Sequence, residues 1–116
     1  MNMKIKATKV DLTNARLESI TMDDQTFTLI IDSQEEKSMR IVFFNPIQFS
    51  YNIGNIIQDL YQLTDDPPFL RKAMSLIYEK IPDVHPFKLF QLIDINDFPF
   101  IEIVAESVQV IPKGDY

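Results

Sequence analysis

The side chains best equipped for chemistry fall in one stretch, FQLIDINDFPFIEIVAE, residues 90–106. Four acids (Asp94, Asp97, Glu102 and Glu106) and the amide Asn96 stand there among large apolar residues. Asp94, Asn96 and Asp97 offer oxygen ligands at a spacing that a hard cation such as Ca²⁺ or Mg²⁺ accepts. The calcium-loop pattern D-x-[DN]-x-[DN]-G is only echoed by D-I-N-D-F-P: the glycine is missing and Pro99 stands close behind. Asn and Asp also favour turns, because their short side chains bond the local backbone. The stretch therefore reads as a hairpin with an acidic turn, holding no metal. Glu102 and Glu106 would share one face of an extended strand, about 13 Å apart. That separation is too wide for either arrangement of a glycosidase-type carboxylate pair.

The single histidine, His85, lies in IPDVHPFK between two prolines. Asp83 could orient it as a base near neutral pH. No Ser or Cys nucleophile motif accompanies it, and one histidine cannot make a histidine-rich zinc site. Gly54 has no companion glycines of a phosphate-binding loop. No catalytic constellation and no cofactor site follow from these residues. The aromatic residues Phe43, Phe44, Phe49, Tyr51, Tyr61 and Phe69 have core spacing for the most part. Phe49 and Tyr51, in QFSYN, belong to no evident element and would suit an exposed anchor for a protein partner.

The elements around these residues are legible from periodicity. MKIKATKV and ARLESITM alternate with a slip of phase in each, a bulge signature. TFTLIID and SMRIVFF are rich in β-branched and aromatic residues, joined by Ser33-Gln34-Glu35-Glu36-Lys37. SMRIVFF is apolar on both faces apart from Arg40 and reads as a central strand. Ile53, Ile56, Ile57, Leu60 and Leu63 have the spacing of a helix face. Asp66 and Pro67 resemble a helix start, and Leu70, Ala73, Met74, Ile77 and Ile81 make a second helical stripe ended by Pro82. FKLFQLIDI and FIEIVAESVQVI then form a closing hairpin across Asn96-Asp97-Phe98-Pro99. The expected fold is α+β: an antiparallel sheet of about six strands, in the order β-β-β-β-α-α-β-β, with two helices on one face.

At 116 residues the chain is one domain's worth, residues 1–116, and its 46% hydrophobic content supplies a core. It contains no cysteine, so no disulfide framework stabilises it, and an intracellular, cytoplasmic setting is expected. Lys4, Lys6 and Lys9 precede no apolar run of signal-peptide length, and no stretch reaches membrane-span length. Seventeen acids against eleven Lys and Arg give a net charge of −6, which argues against nucleic acid and suits a basic protein partner.

Asp11 to Pro46, DLTNARLESITMDDQTFTLIIDSQEEKSMRIVFFNP, resembles the opening of small β-rich bacterial proteins of the toxin-immunity type. The shared pattern is an acidic residue before L-x-x-I, a polar turn, an alternating strand, and a strand ending in F-x-x-[VI]. The tryptophan usual in that pattern is absent here. The resemblance implies a binding role and transfers no catalytic residue. The expected function is a non-catalytic protein-binding module, immunity-type or regulatory. Its contacts would be Phe49, Tyr51, Asp65, Asp66, Asp94, Asp97, Glu102 and Glu106. The alternatives are a metal-dependent or small-ligand enzyme using Asp94, Asp97 and His85, and a structural homo-oligomer.

Overall fold

The structure, a computed structural model, describes residues 3–33 and 38–112. The Gln34–Lys37 part of the expected hairpin connection lies outside the described residues. Strands occupy 50% and helix 7%, which overturns the expected α+β fold with two helices. The chain is mostly β. In order it forms β1 (Lys4–Lys6), β2 (Ala15–Met22), β3 (Thr26–Asp32), β4 (Met39–Phe44), β5 (Gln48–Tyr51), β6 (Ile56–Ile57) and β7 (Asp59–Leu63). There follow α1 (Pro68–Met74), β8 (Lys88–Ile93), β9 (Pro99–Ala105) and β10 (Ser107–Ile111). Two five-stranded sheets result, β1-β7-β8-β9-β5 and β10-β4-β3-β2-β6, with every pairing antiparallel.

The expected first helix, Ile53 to Leu63, is instead β6 and β7, and the reason its spacing misled is physical. Ile57 points into the space between the sheets from one sheet and Leu60 does so from the other. Leu63 faces the opposite side of its strand, under α1. A chain that bends between sheets at Gln58 and is buried on both faces thus reproduces a three-residue repeat. Ile53 itself is fully exposed. Three isoleucines and a tyrosine suit the extended form better than a helix.

The second expected helix exists but is short. Pro67 occupies the N-cap in place of the expected Asp66, with Pro68 in the first turn and no side-chain cap. Leu70, Ala73 and Met74 are buried, while Ile77 is half exposed. The chain tightens into three-residue turns from Ala73 to Leu76 and Met74 to Ile77. There the Ser75 hydroxyl donates to the Lys72 carbonyl at 2.6 Å, a side-chain bond that competes with helix continuation.

The expected long strand from Phe100 to Ile111 also divides. β9 pairs with β8 and β5, whereas β10 pairs with β4 in the other sheet. The change of sheet falls at Glu106, whose amide donates to the Phe44 carbonyl at 2.9 Å. Strands that pass from one sheet to the other at bends are the usual corners of such packings. With β6–β7 and β9–β10 both bent, the hydrogen-bonded circuit β2-β3-β4-β10/β9-β8-β7/β6-β2 closes on itself. In ARLESITM the phase slip is a register shift between Leu17 and Ser19.

The principal core fills the space between the sheets. Phe27, Leu29 and Ile31 from β3 and Met39, Ile41 and Phe43 from β4 meet Phe90, Leu92, Ile101 and Ile103. Phe43 sits 6.2 Å from Phe27 and 5.5 Å from Phe90 between ring centroids, a range in which aromatic pairs attract. On the far side of the β1-β7-β8-β9-β5 sheet, Leu70, Ala73 and Met74 cover Leu63, Leu89 and Val104. The layers are therefore sheet, sheet and helix.

Candidate functional site

The acidic turn of residues 94–98 is built by its own side chain. One Asp94 carboxylate oxygen accepts the amides of Asn96 at 2.8 Å and Phe98 at 3.0 Å. The Asp94 amide donates to the Phe98 carbonyl, and Asp97 takes the left-handed conformation at φ 60°. Asp94 thus uses its oxygen to close the β8–β9 hairpin. Asp97, being short and polar, tolerates the backbone the turn requires.

His85 lies at the other end of β8, across a six-residue strand of about 20 Å. Its imidazole is nearly buried, and Nε2 stands 3.3 Å from an Asp66 carboxylate oxygen that Arg71 also approaches, at 3.9 Å. The orienting acid is Asp66, in place of the expected Asp83. Nδ1 is buried without a hydrogen-bond partner among the described residues. Asp94, Asp97 and His85 are not brought together. Among the described residues no three His, Cys, Asp or Glu side chains gather closely enough to hold a metal ion.

Glu102 and Glu106 do not share a strand face as expected, because β9 ends at Ala105. Glu102 accepts the side-chain amide of Gln91, its cross-strand neighbour, at 3.0 Å. At the corner, the Glu106 carbonyl accepts from the Lys88 ammonium at 3.0 Å. Asp65, Asp66 and Glu106 stand toward the Lys88 end of β8, and Asp94 and Asp97 at its Ile93 end. The six candidate acids are therefore split between the two ends of β8, with Glu102 between them, and form no single patch. Two further carboxylates, Asp11 and Asp23, are held below their ordinary range by backbone amides: Thr13 for the first, Gln25 and Thr26 for the second.

The lysines of β1 are engaged along its sheet. Lys6 pairs with Asp59 at 3.3 Å, and the Lys4 ammonium lies 4.4 Å from the Tyr61 ring centre. A cleft of about 630 Å³ opens beside them, between Ala7–Thr13 and Gln58–Asp59, and holds none of the candidate residues.

Phe49 and Tyr51 find their element in β5, at the edge of its sheet. They pair with Ile103 and Ile101 of β9, and both partners belong to the core between the sheets. The two rings extend that core outward and emerge from it, 40% and 47% exposed. Phe49 leans on buried Phe27 at 4.8 Å between centroids, which fixes its direction. The Tyr51 hydroxyl donates to the Gly54 carbonyl at 2.8 Å and closes the next turn. Met22 lines one cleft with Phe49, and Ile53 another with Tyr51. These two exposed neighbours were missed in the sequence because each sits in a pattern that reads as core. For Ile53 a signal was nevertheless present: residues 41–58 carry no charged side chain, the longest such run in the chain.

Among the described residues no helix is long and apolar enough to cross a membrane. Compared with known families, curated proteins and solved structures, the chain matches none.

Proposed function

We propose that this chain is a non-catalytic, cytoplasmic protein-binding module of the immunity or regulatory kind. One observation carries the reading. Phe49 and Tyr51, two aromatic rings seated on rigid backing, are presented at an open sheet edge, and aromatic anchors of this kind concentrate binding energy. The acids Asp65, Asp66, Asp94, Asp97, Glu102 and Glu106, at the two ends of β8 and beside it, give a basic partner a long-range attraction. The resemblance of Asp11–Pro46 to toxin-immunity proteins implies the same class of role.

The test is capture from extracts of the cells that express the chain, at low and high salt, with three baits. These are the unaltered protein, Tyr51→Ser, and a variant with Asp65, Asp66, Asp94 and Asp97 changed to Asn. Loss of one anchor should cost about 2 kcal/mol, or roughly thirty-fold in affinity. Neutralising the acids should slow association and flatten its salt dependence. Identical capture by all three baits would remove the proposal.

A further inference from the structure

Among the described residues the two sheets have four edge strands, β1, β5, β6 and β10, and they are not protected alike. β10 (SVQVI) is uncharged like β5, but of these two only β5 presents exposed large apolar side chains, Phe49 and Tyr51. β1 is three residues long and carries Lys4 and Lys6. β6 has two residues. Short strands and lysines are the ordinary ways of keeping an edge from pairing with another chain. The four residues of β5, Gln48-Phe49-Ser50-Tyr51, include no charge and no proline, and their pairing with β9 runs without a register shift.

The open side of β5 also has backbone groups to offer. The Asn52 amide donates to the Phe100 carbonyl at 2.8 Å. An antiparallel ladder alternates, so the residues facing β9 with their hydrogen bonds are Ser50 and Asn52. The N–H and C=O of Phe49 and Tyr51 point away from β9, and among the described residues no other strand takes them.

We propose that these groups are taken by a second copy of the chain. Its β5 pairs antiparallel with the first about a two-fold axis at Ser50, and joins two five-stranded sheets into one of ten. The axis sets Phe49 opposite Tyr51 of the second copy and the reverse, so four backbone hydrogen bonds form and each aromatic ring meets one from its partner. Charge selects this occupant over a basic one. A basic strand would be favoured by acids along the edge, and the edge has none. In a chain of net charge −6, the uncharged run 41–58 is where two copies approach without acid facing acid.

The neighbouring acids do not oppose this. Glu102 lies beside Ser50 one strand in, so the two Glu102 side chains stand three strand spacings apart, about 14 Å. That exceeds the roughly 8 Å screening length of physiological salt. Asp23, which lines the cleft at Phe49, turns its carboxylate onto the Gln25 and Thr26 amides at 2.8 Å each. The inference rests on the reading of β5 as a contact edge and names its occupant: the partner that Phe49 and Tyr51 anchor is a second copy of the chain, and a basic protein would meet the acidic surface elsewhere.

The absence of cysteine makes the test direct. At the axis, Ser50 and Ser50 of the second copy form a non-hydrogen-bonded pair with Cα atoms about 4.5 Å apart, within disulfide reach. Ser50→Cys should cross-link to a covalent dimer under oxidised glutathione at least about ten-fold faster than Ile5→Cys on the exposed β1 edge. Sedimentation of the unaltered chain should show a monomer–dimer equilibrium. Ser50→Lys sets two ammonium groups opposite each other and should raise the dimer dissociation constant about ten-fold or more. The same lysine stands beside Glu102, so the monomer keeps its circular dichroism.

A chain that sediments as a monomer up to about 100 µM overturns the proposal, as does equal cross-linking of the two cysteine variants. If self-pairing fails but Ser50→Lys still abolishes capture of another protein, the contact edge stands and only its occupant was wrong. If Ser50→Lys and Tyr51→Ser change neither, both readings fall.

Discussion

Gly54→Ala separates the observed corner from the helix that the spacing of Ile53 to Leu63 suggests, because the two make opposite predictions. In a helix, alanine in place of glycine stabilises by about 1 kcal/mol. In the structure a methyl group at Gly54 would meet the Phe100 ring at 2.8 Å, a distance that real Cβ atoms do not tolerate. Phe100 is fully buried, so the ring has no free space to turn into. Its backbone is also committed, since its carbonyl accepts the Asn52 amide. Either the ring leaves its rotamer or the 52–55 turn shifts away from the sheet. Overpacking of this kind costs about 1–3 kcal/mol. For a chain of 116 residues the unfolding entropy makes each kcal/mol worth about 4 °C, so Tm should fall by about 4–12 °C. Thermal unfolding followed by circular dichroism measures it, with urea titration to confirm that the slope is unchanged. A Tm that is unchanged or raised would refute the close approach of Gly54 to Phe100, and with it this corner of the fold.

Three more outcomes follow from contacts in the structure. Asp94→Ala leaves the Asn96 and Phe98 amides without their acceptor and should cost about 1 kcal/mol in urea unfolding, while millimolar Ca²⁺ leaves the Tm of the unaltered protein where it was; a Ca²⁺-induced rise would mean the turn is a cation site after all. His85→Phe removes Nδ1, which has no partner among the described residues, together with the Nε2 contact to half-exposed Asp66, so the net change should stay within about 1 kcal/mol; a loss above about 2 kcal/mol would show that Nδ1 is satisfied in solution. Asp23 and Asp11 have folded-state pKa values below their ordinary 3.8, so each contributes stability that is present above that value and is lost as pH falls through the lower one. In Asp23→Asn that part of the acid-unfolding curve should disappear, and identical curves for the two proteins would refute the assignment.

The strand pattern from Ala15 to Phe44 was legible because each strand there buries one face or sits inside a sheet, and period-two alternation records that directly. The acidic hairpin was legible for a different reason: Asp94 and Asp97 act on backbone within four residues, so their role is local. Phe49 and Tyr51 were visible as aromatics without an element. Their strand was not, because four residues at a sheet edge are held by β9, some fifty residues on, and leave no periodic trace of their own. Proximity in sequence pairs His85 with Asp83, whereas its partner Asp66 arrives from the other side of α1. A contact set by packing overrode one set by neighbourhood.

Composition and local chemistry by themselves determined that the chain is acidic, cysteine-free, rich in strands, and closed at residues 94–98 by an aspartate turn. Each of these depends on side-chain type or on bonds between near neighbours. Only the tertiary structure decided that Ile57, Leu60 and Leu63 lie on a bent strand and not on a helix, and that the run from Phe100 to Ile111 is shared between two sheets. It also left β5 with an open, uncharged edge. The physical reason is common to all three. A residue buried on both faces of a strand, or a strand that changes sheets, satisfies its backbone and its apolar surface with partners far away in sequence. Hydrophobic spacing then records burial without recording which element provides it.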